Sequence, residues 1–357
     1  MIVFDPEQNG HCYNPIMECK TVDSCQFLAR TLIPTPQGAD PFWTGNAQNI
    51  LAAACYEANK EGKTLPQIAE RILLTEAQTL VEELTNSKYR EVQLLSSSVK
   101  GTPEKTLGGI FTELKGKMIL FATDPNIKQA LSKSEWTAED LEEGATIYLR
   151  VSERQIETHK QVWNLIIVQI IRYLSSRPEH KNPPILLLFD ELARLGKVEG
   201  YSSALTTLRS KEVTIVTAIQ SLAQLQEHYG KEVTRTIMDS NSYKLVLSAS
   251  DNETQKVFSD LAGKAEIRKK GANYSLHGGG ISEHDQWEER FRPENFAYLK
   301  RPIFYTPDIE AFGLMKMLYL ATEKVSKKWT RVYANWDLVI SQLNILFSEI
   351  LNKGGAA

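Results

Sequence analysis

Ile185-Leu186-Leu187-Leu188-Phe189-Asp190-Glu191 is an apolar run that ends abruptly in two adjacent carboxylates. Behind Pro183-Pro184, so continuous an apolar stretch predicts a strand buried on both faces, the pattern of a parallel sheet. Asp190 and Glu191 then emerge at the strand's carboxyl end, where open α/β sheets bind their ligands. In a nucleotide-hydrolysing site the first acid of such a pair holds Mg2+, usually through water, and the second orients or activates the attacking water. The pair reads as a Walker B element. Local geometry argues against a glycosidase pair, because neighbouring strand residues point to opposite faces and do not flank one bond.

On both sides of this strand the periodicity alternates. Met118–Ala122 and Thr146–Val151 predict strands, and Trp163, Ile166, Ile167, Ile170, Ile171 and Leu174 then recur on one face of a helix. Beyond Glu191 come a helix around Ser202–Arg209, a strand at Val213–Ala218 and a helix from Ser221 to Tyr229. A strand at Tyr243–Ser248 and a helix starting near Glu253 continue the alternation. Such an order implies right-handed crossovers and a parallel sheet with helices on both faces. Ala272–Gln286 is polar and glycine-rich, a loop or hairpin, and Trp336–Leu351 has the spacing of a packing or docking helix.

The amino-terminal third differs. Ile2-Val3-Phe4 predicts a short strand, Asn9-Gly10 a turn, and Tyr13-Asn14-Pro15 extended or turning backbone. Asp40 is placed to cap a helix that Pro41 begins. From there to about Ser98 strand signals are absent, and Ile50–Ala54, Leu65–Leu74 and Thr79–Leu84 all read as helix. This is a small all-helical domain.

Composition narrows the classes. With 41 basic against 44 acidic residues, a net charge of −3, the chain as a whole lacks the electrostatic footprint of a nucleic-acid binder. Cys12, Cys19, Cys25 and Cys55 show no C-x-x-C spacing and read as reduced thiols packed as small hydrophobes rather than zinc ligands. No apolar run approaches the ~18 residues of a membrane span, and the first residues are not a signal peptide.

Few other residues carry chemistry. Gln220 lies just past the Val213–Ala218 strand, where a side chain can sense a γ-phosphate or position a water, or simply begin a helix. Arg209 is, by residue physics alone, a cation favouring a helix C-terminus; the functional alternative is an arginine finger reaching a neighbouring subunit. Asn241 and Lys244 are similar cases with structural readings. Gly62-Lys63-Thr64 imitates the end of a phosphate loop, but Glu57 stands where the first glycine of G-x-x-x-x-G-K-[ST] is needed, and helix precedes it. Nothing else in the sequence supplies a phosphate cradle. His277-Gly278-Gly279-Gly280 with His284 matches no metal spacing. Arg268-Lys269-Lys270 is either a solvated basic turn or a contact to single-stranded DNA.

The ordered set of motifs resembles the TraG/TraD-type coupling proteins of type IV secretion and conjugation. The residues that carry it are Phe4-Asp5-Pro6, Tyr13-Asn14-Pro15, Asp40-Pro41-Phe42-Trp43, Leu187–Leu192 with Leu195-Gly196, Ala218–Leu225 with Tyr229-Gly230, and Phe258–Gly263. The resemblance implies an α/β fold, a RecA-like P-loop NTPase core interrupted by a small all-α domain, with the first strands of the core missing. Residues 1–35 are then the start of the nucleotide-binding domain, 36–115 the all-α insert, 116–325 the remainder of the core, and 326–357 a helical tail.

It also implies ATP and Mg2+ as cofactors. Asp190 becomes the Mg2+-associated acid, Glu191 the catalytic carboxylate, Gln220 the sensor-like glutamine, and Arg209 a residue acting across a subunit interface. Implied partners are the relaxosome and its relaxase or effector proteins, components of the secretion channel, and single-stranded DNA. Family members form homo-hexamers at the inner membrane, and this chain corresponds to a cytoplasmic, soluble part of that complex. The family's phosphate-loop strand and membrane helices have no counterpart here, so weak ATP binding is expected. A motor fragment, a non-hydrolysing adaptor and another RecA-like DNA translocase are the three readings that follow.

Overall fold

Ile2–Phe4 forms β1, and Asp5 fixes the turn behind it by accepting the backbone N–H groups of Glu7 and Gln8 at 3.0 and 3.2 Å. A Cβ on Gly10 would come within 2.5 Å of Asp5 N and 2.6 Å of Val3 O, so only glycine closes this turn. Asn14 caps a short 3-10 turn, Pro15–Glu18. The computed structural model describes residues 1–36, 38, 40–275, 278–299 and 303–305. The chain makes two compact units, residues 1–218 and 219–357.

In the first unit, a helix that the apolar pattern did not announce, α1 (Val22–Leu32), is opened by a reciprocal Thr21–Ser24 capping box. Then follow α2 (Pro41–Glu61), α3 (Leu65–Leu74), α4 (Ala77–Thr85), α5 (Arg90–Ser96), α6 (Glu104–Thr123) and α7 (Pro125–Ala130). Asp40 Oδ1 accepts from Phe42 N at 2.9 Å, the cap that the sequence foretold. α2 is the hub on which α1, α5 and α6 pack. Its buried Ala47, Ala52, Ala53, Ala54 and Ala58 allow that close approach.

Met118–Ala122 is not a strand; it lies within α6. Short apolar runs are ambiguous between strand and helix. Here the buried residues Leu107, Ile110, Phe111, Leu114, Met118 and Phe121 follow the helical period. The helix also runs through residue 115, where the insert was expected to end.

Two glycines of α6 give a sharp contrast. A Cβ on Gly108 meets nothing within 4 Å, whereas one on Gly109 would lie 2.6 Å from Cζ3 of Trp43. Gly108→Ala should therefore raise stability by about 0.5–1 kcal/mol through helix propensity. Gly109→Ala should lower it by about 1–2 kcal/mol and shift Trp43 fluorescence as the indole is pushed off its seat. Equal thermal shifts for the two variants would refute this packing.

The rest of the unit is β2 (Ile147–Leu149), α8 (Ile156–Ser175), β3 (Ile185–Phe189), α9 (Tyr201–Thr207) and β4 (Val213–Thr217). β1 pairs with β2, and β3 with β4, both in parallel. The apolar face of α8 is buried as expected, with Trp163 edge-on to Phe4 at 5.1 Å. β3 departs from expectation. Ile185 and Phe189 are buried, but Leu186 and Leu188 are 49% and 66% exposed, so among the described residues one face of this strand is left uncovered.

In the second unit are α10 (Leu222–Tyr229), α11 (Lys231–Ser240), β5 (Lys244–Val246), α12 (Asn252–Ala262), β6 (Lys264–Ser275), β7 (Gly278–Glu289) and β8 (Ile303–Tyr305). β5, expected among the parallel strands, instead pairs antiparallel with β8 among the described residues. The glycine-rich stretch is a hairpin, β6–β7. Val246, Ala249 and Phe296 centre a small core with Phe258, Leu299 and Ile303. The helix expected at Trp336–Leu351 lies outside the described residues. Among the described residues, no helix is long and apolar enough to cross a membrane.

Candidate functional site

The carboxyl ends of β3 and β4 are level, because Phe189 pairs with Thr217 in register. Two backbone bonds continue the pairing past the strands: Ala218 N donates to Phe189 O at 2.8 Å, and Leu192 N donates to Ala218 O at 3.1 Å. Between them lie Asp190 and Glu191. Asp190 is exposed. Glu191 takes a left-handed backbone, φ 60° and ψ 60°, and starts the 3-10 turn Leu192–Leu195. A non-glycine residue seldom adopts this conformation, and such strain gathers at functional sites. Glu191 Oε1 is buried and has no hydrogen-bond partner among the described residues. An orphaned carboxylate oxygen beside an exposed acid suits water held by a cation.

Asn164 of α8 braces the loop that follows, its Nδ2 donating to Leu195 O at 3.0 Å and lying 3.4 Å from Lys197 O. Its own Oδ1 is buried without a partner among the described residues. Tyr201 covers the strand ends from one face, edge-on to Phe189 and hydrogen-bonded to Thr217 Oγ1. Sequence reasoning overlooked both residues. Asn164 was detectable as a polar residue beside a buried helix stripe; Tyr201 carried no signal.

The other candidates separate. Gln220 belongs to the second unit, two residues after Ala218 and just before Ser221, whose hydroxyl caps α10 by accepting from Gln224 N at 3.3 Å. Arg209 lies beyond α9, in the 3-10 turn that precedes β4. Val213 N bonds Leu208 O and Ile185 N bonds Glu212 O, so Arg209 sits where the strands start. At ~3.3 Å per residue, it is about 15 Å along the ladder from Asp190. The fold therefore does not bring Arg209 to the acid pair of its own chain.

Asn241 and Lys244 are structural. Asn241 Nδ2 bonds Ile237 O at 2.7 Å at the end of α11, and Lys244 Nζ bonds Asn241 O at 2.6 Å. Gly62 ends α2 with φ 67°, and Thr64 N donates to Gln67 Oε1 at 2.9 Å as α3 begins. Gly62-Lys63-Thr64 is thus an interhelical link. The four cysteines are free and buried. The bond with the Cys19 thiol and burial push Cys25 far up, as expected of inert packing thiols. Among the described residues no cluster of three or more His, Cys, Asp or Glu side chains could hold a metal. His277 lies outside the described residues.

The parallel β3–β4 pair and the all-helical segment belong to a fold found in solved proteins. The unbound monoclinic form of the bacterial conjugative coupling protein TrwBdeltaN70 superposes with a TM-score of 0.69 at 19% identity, covering 86% of this chain and 71% of that one. Plasmid coupling protein TrwB in complex with ADP and Mg2+ gives 0.66 at 18% identity, covering 86% of this chain and 71% of that one. The family model described as the type IV secretion-system coupling protein DNA-binding domain matches residues 2–315, and the chain belongs to that family.

Curated relatives agree. Protein VirD4 of Rhizobium rhizogenes is 24% identical over 311 residues, 83% of this chain and 46% of that protein. Coupling protein TraD of Escherichia coli strain K12 is 24% identical over 262 residues, 72% of this chain and 36% of that protein. The chain spans about half the length of the VirD4 relative.

Proposed function

We propose that this chain is the motor and substrate-recruiting segment of a type IV coupling protein, one that couples ATP hydrolysis to the transfer of DNA or protein. The observation that carries this reading is the end of β3, where Glu191 is held in a strained turn with a buried, unpartnered oxygen beside exposed Asp190. Asp190 would hold Mg2+ through water, and Glu191 would orient the attacking water. Gln220 would report on the γ-phosphate. Mg2+ bound with ATP would neutralise the developing phosphate charge. Arg209, far along the ladder from its own acid pair, fits action on a neighbouring subunit's site within a homo-hexamer.

The partners proposed are a relaxase or effector protein bound through the helical segment, channel components, and single-stranded DNA. The assembly would work on the cytoplasmic side of the inner membrane. The β6–β7 register sets Arg268, Lys269 and Lys270 opposite Asp285, His284 and Glu283. Immobilised full-length chain, challenged with purified relaxase or a type IV effector, should retain one of them. Retention of neither would count against substrate recruitment by this chain.

A further inference from the structure

Tyr201 is fully buried, and its one side chain meets both strands of the acidic sheet at their last rung. Because Phe189 and Thr217 are register partners, their side chains lie on the same face. The Tyr201 ring stands edge-on to Phe189, with centroids 5.5 Å apart and planes at 89°, and its hydroxyl hydrogen-bonds to Thr217 Oγ1. Gly200, at φ 75°, supplies the left-handed turn that starts α9 on Tyr201. On the opposite face the neighbouring Leu188 is 66% exposed. Past this rung the pairing continues through the two backbone bonds of Ala218 and Leu192.

We infer that Tyr201 is a positioning residue: it clamps the end of β4 to the end of β3 and so fixes where Glu191 leaves the sheet. This rests on the reading of Glu191 given above. A two-stranded parallel ladder is weak by itself, and its ends fray most readily. The T-shaped contact holds the strand bearing the acids, and the hydroxyl bond holds the strand that leads toward Gln220. Burial pushes the phenol up to about 12, so it remains a neutral hydrogen-bonding group near neutral pH. The same hydroxyl–hydroxyl link lets either partner be altered without emptying the core.

Amide hydrogen exchange on the full chain tests the clamp. Tyr201→Phe keeps the ring and Thr217→Val keeps the shape, but each removes the bond. Each should speed exchange of the Ala218 and Leu192 amides by roughly tenfold. The double variant should be no faster than either single one. Thr217→Ser, which retains a hydroxyl, should exchange as wild type does. Amides inside the ladder, such as those of Leu187 and Ile215, should be unchanged.

Unaltered exchange at Ala218 and Leu192 would overturn the inference. So would uniform acceleration through both strands, or failure of Thr217→Ser to restore protection, since a merely structural tyrosine gives those results. Exchange is read without nucleotide. If Glu191 proves irrelevant to hydrolysis, the functional reading fails, while the exchange pattern still decides whether Tyr201 holds the strand ends.

Discussion

Arg177→Met should cost the first unit about 3–5 kcal/mol, the usual penalty for breaking a buried ion pair from one side. The Arg177 side chain is only 1% exposed and donates through Nε to Glu142 Oε1 at 2.8 Å. Its other nitrogens donate to the carbonyls of Lys211 and Pro183. One guanidinium thus ties Glu142 to the segments that lead into β3 and β4. Methionine fills similar space but leaves a buried carboxylate and two carbonyls without this donor. For a unit of this size each kcal/mol lowers Tm by ~2–4 °C, so calorimetry should show a fall on the order of 10 °C. An unchanged transition would mean that the arginine is not the anchor described.

The same pair sets a pH dependence. Burial alone would raise the Glu142 carboxyl, but the bonds and charges of Arg177 and Lys181 outweigh it and hold it below the ordinary carboxylate value. Its contribution is therefore present above the unfolded value and lost as pH falls through the lowered folded value. In Arg177→Met this part of the acid sensitivity should shrink to what Lys181 alone sustains.

Glu191→Gln should have the largest effect on turnover. The relevant protein is a chimera in which residues 2–315 replace the matching segment of a coupling-protein relative that supplies a phosphate loop. If Glu191 orients the attacking water, removal of its carboxylate should lower kcat by ~10²–10⁴-fold. Nucleotide binding should persist, since the phosphates would be held by other residues. Asp190→Asn should instead weaken the Mg2+ dependence of binding. A Glu191→Gln chimera that hydrolyses ATP at the parent rate would remove the acid from the mechanism.

The acid-tipped strand, its parallel partner and most helices were legible because period and punctuation agreed. Asp40-Pro41 and the Val213–Ala218 run are examples, and the observed elements begin or end within a residue of them. Met118–Ala122 misled because its apolar content is local, whereas its helical period appears only over the whole of α6. Leu186 and Leu188 misled for a different reason: composition speaks of a strand's two faces but not of what covers them. Asp190, Glu191, Gln220 and Arg209 were visible as candidate residue types, though the fold sets only Asp190 and Glu191 side by side at the end of β3. The left-handed turn at Glu191, the Asn164 brace and the Tyr201 clamp depend on tertiary neighbours, which no local spacing encodes.

We propose that Asp190 and Glu191 form the metal and water half of an ATP site, in a sequence that carries no G-x-x-x-x-G-K-[ST] motif to cradle the phosphates. Titration of the purified chain with Mg-ATP, followed by release of inorganic phosphate, addresses it most directly. Weak binding and negligible hydrolysis are expected, both unaffected by Glu191→Gln. Clear Mg-dependent ATPase activity by the chain alone, abolished by Glu191→Gln, would contradict it.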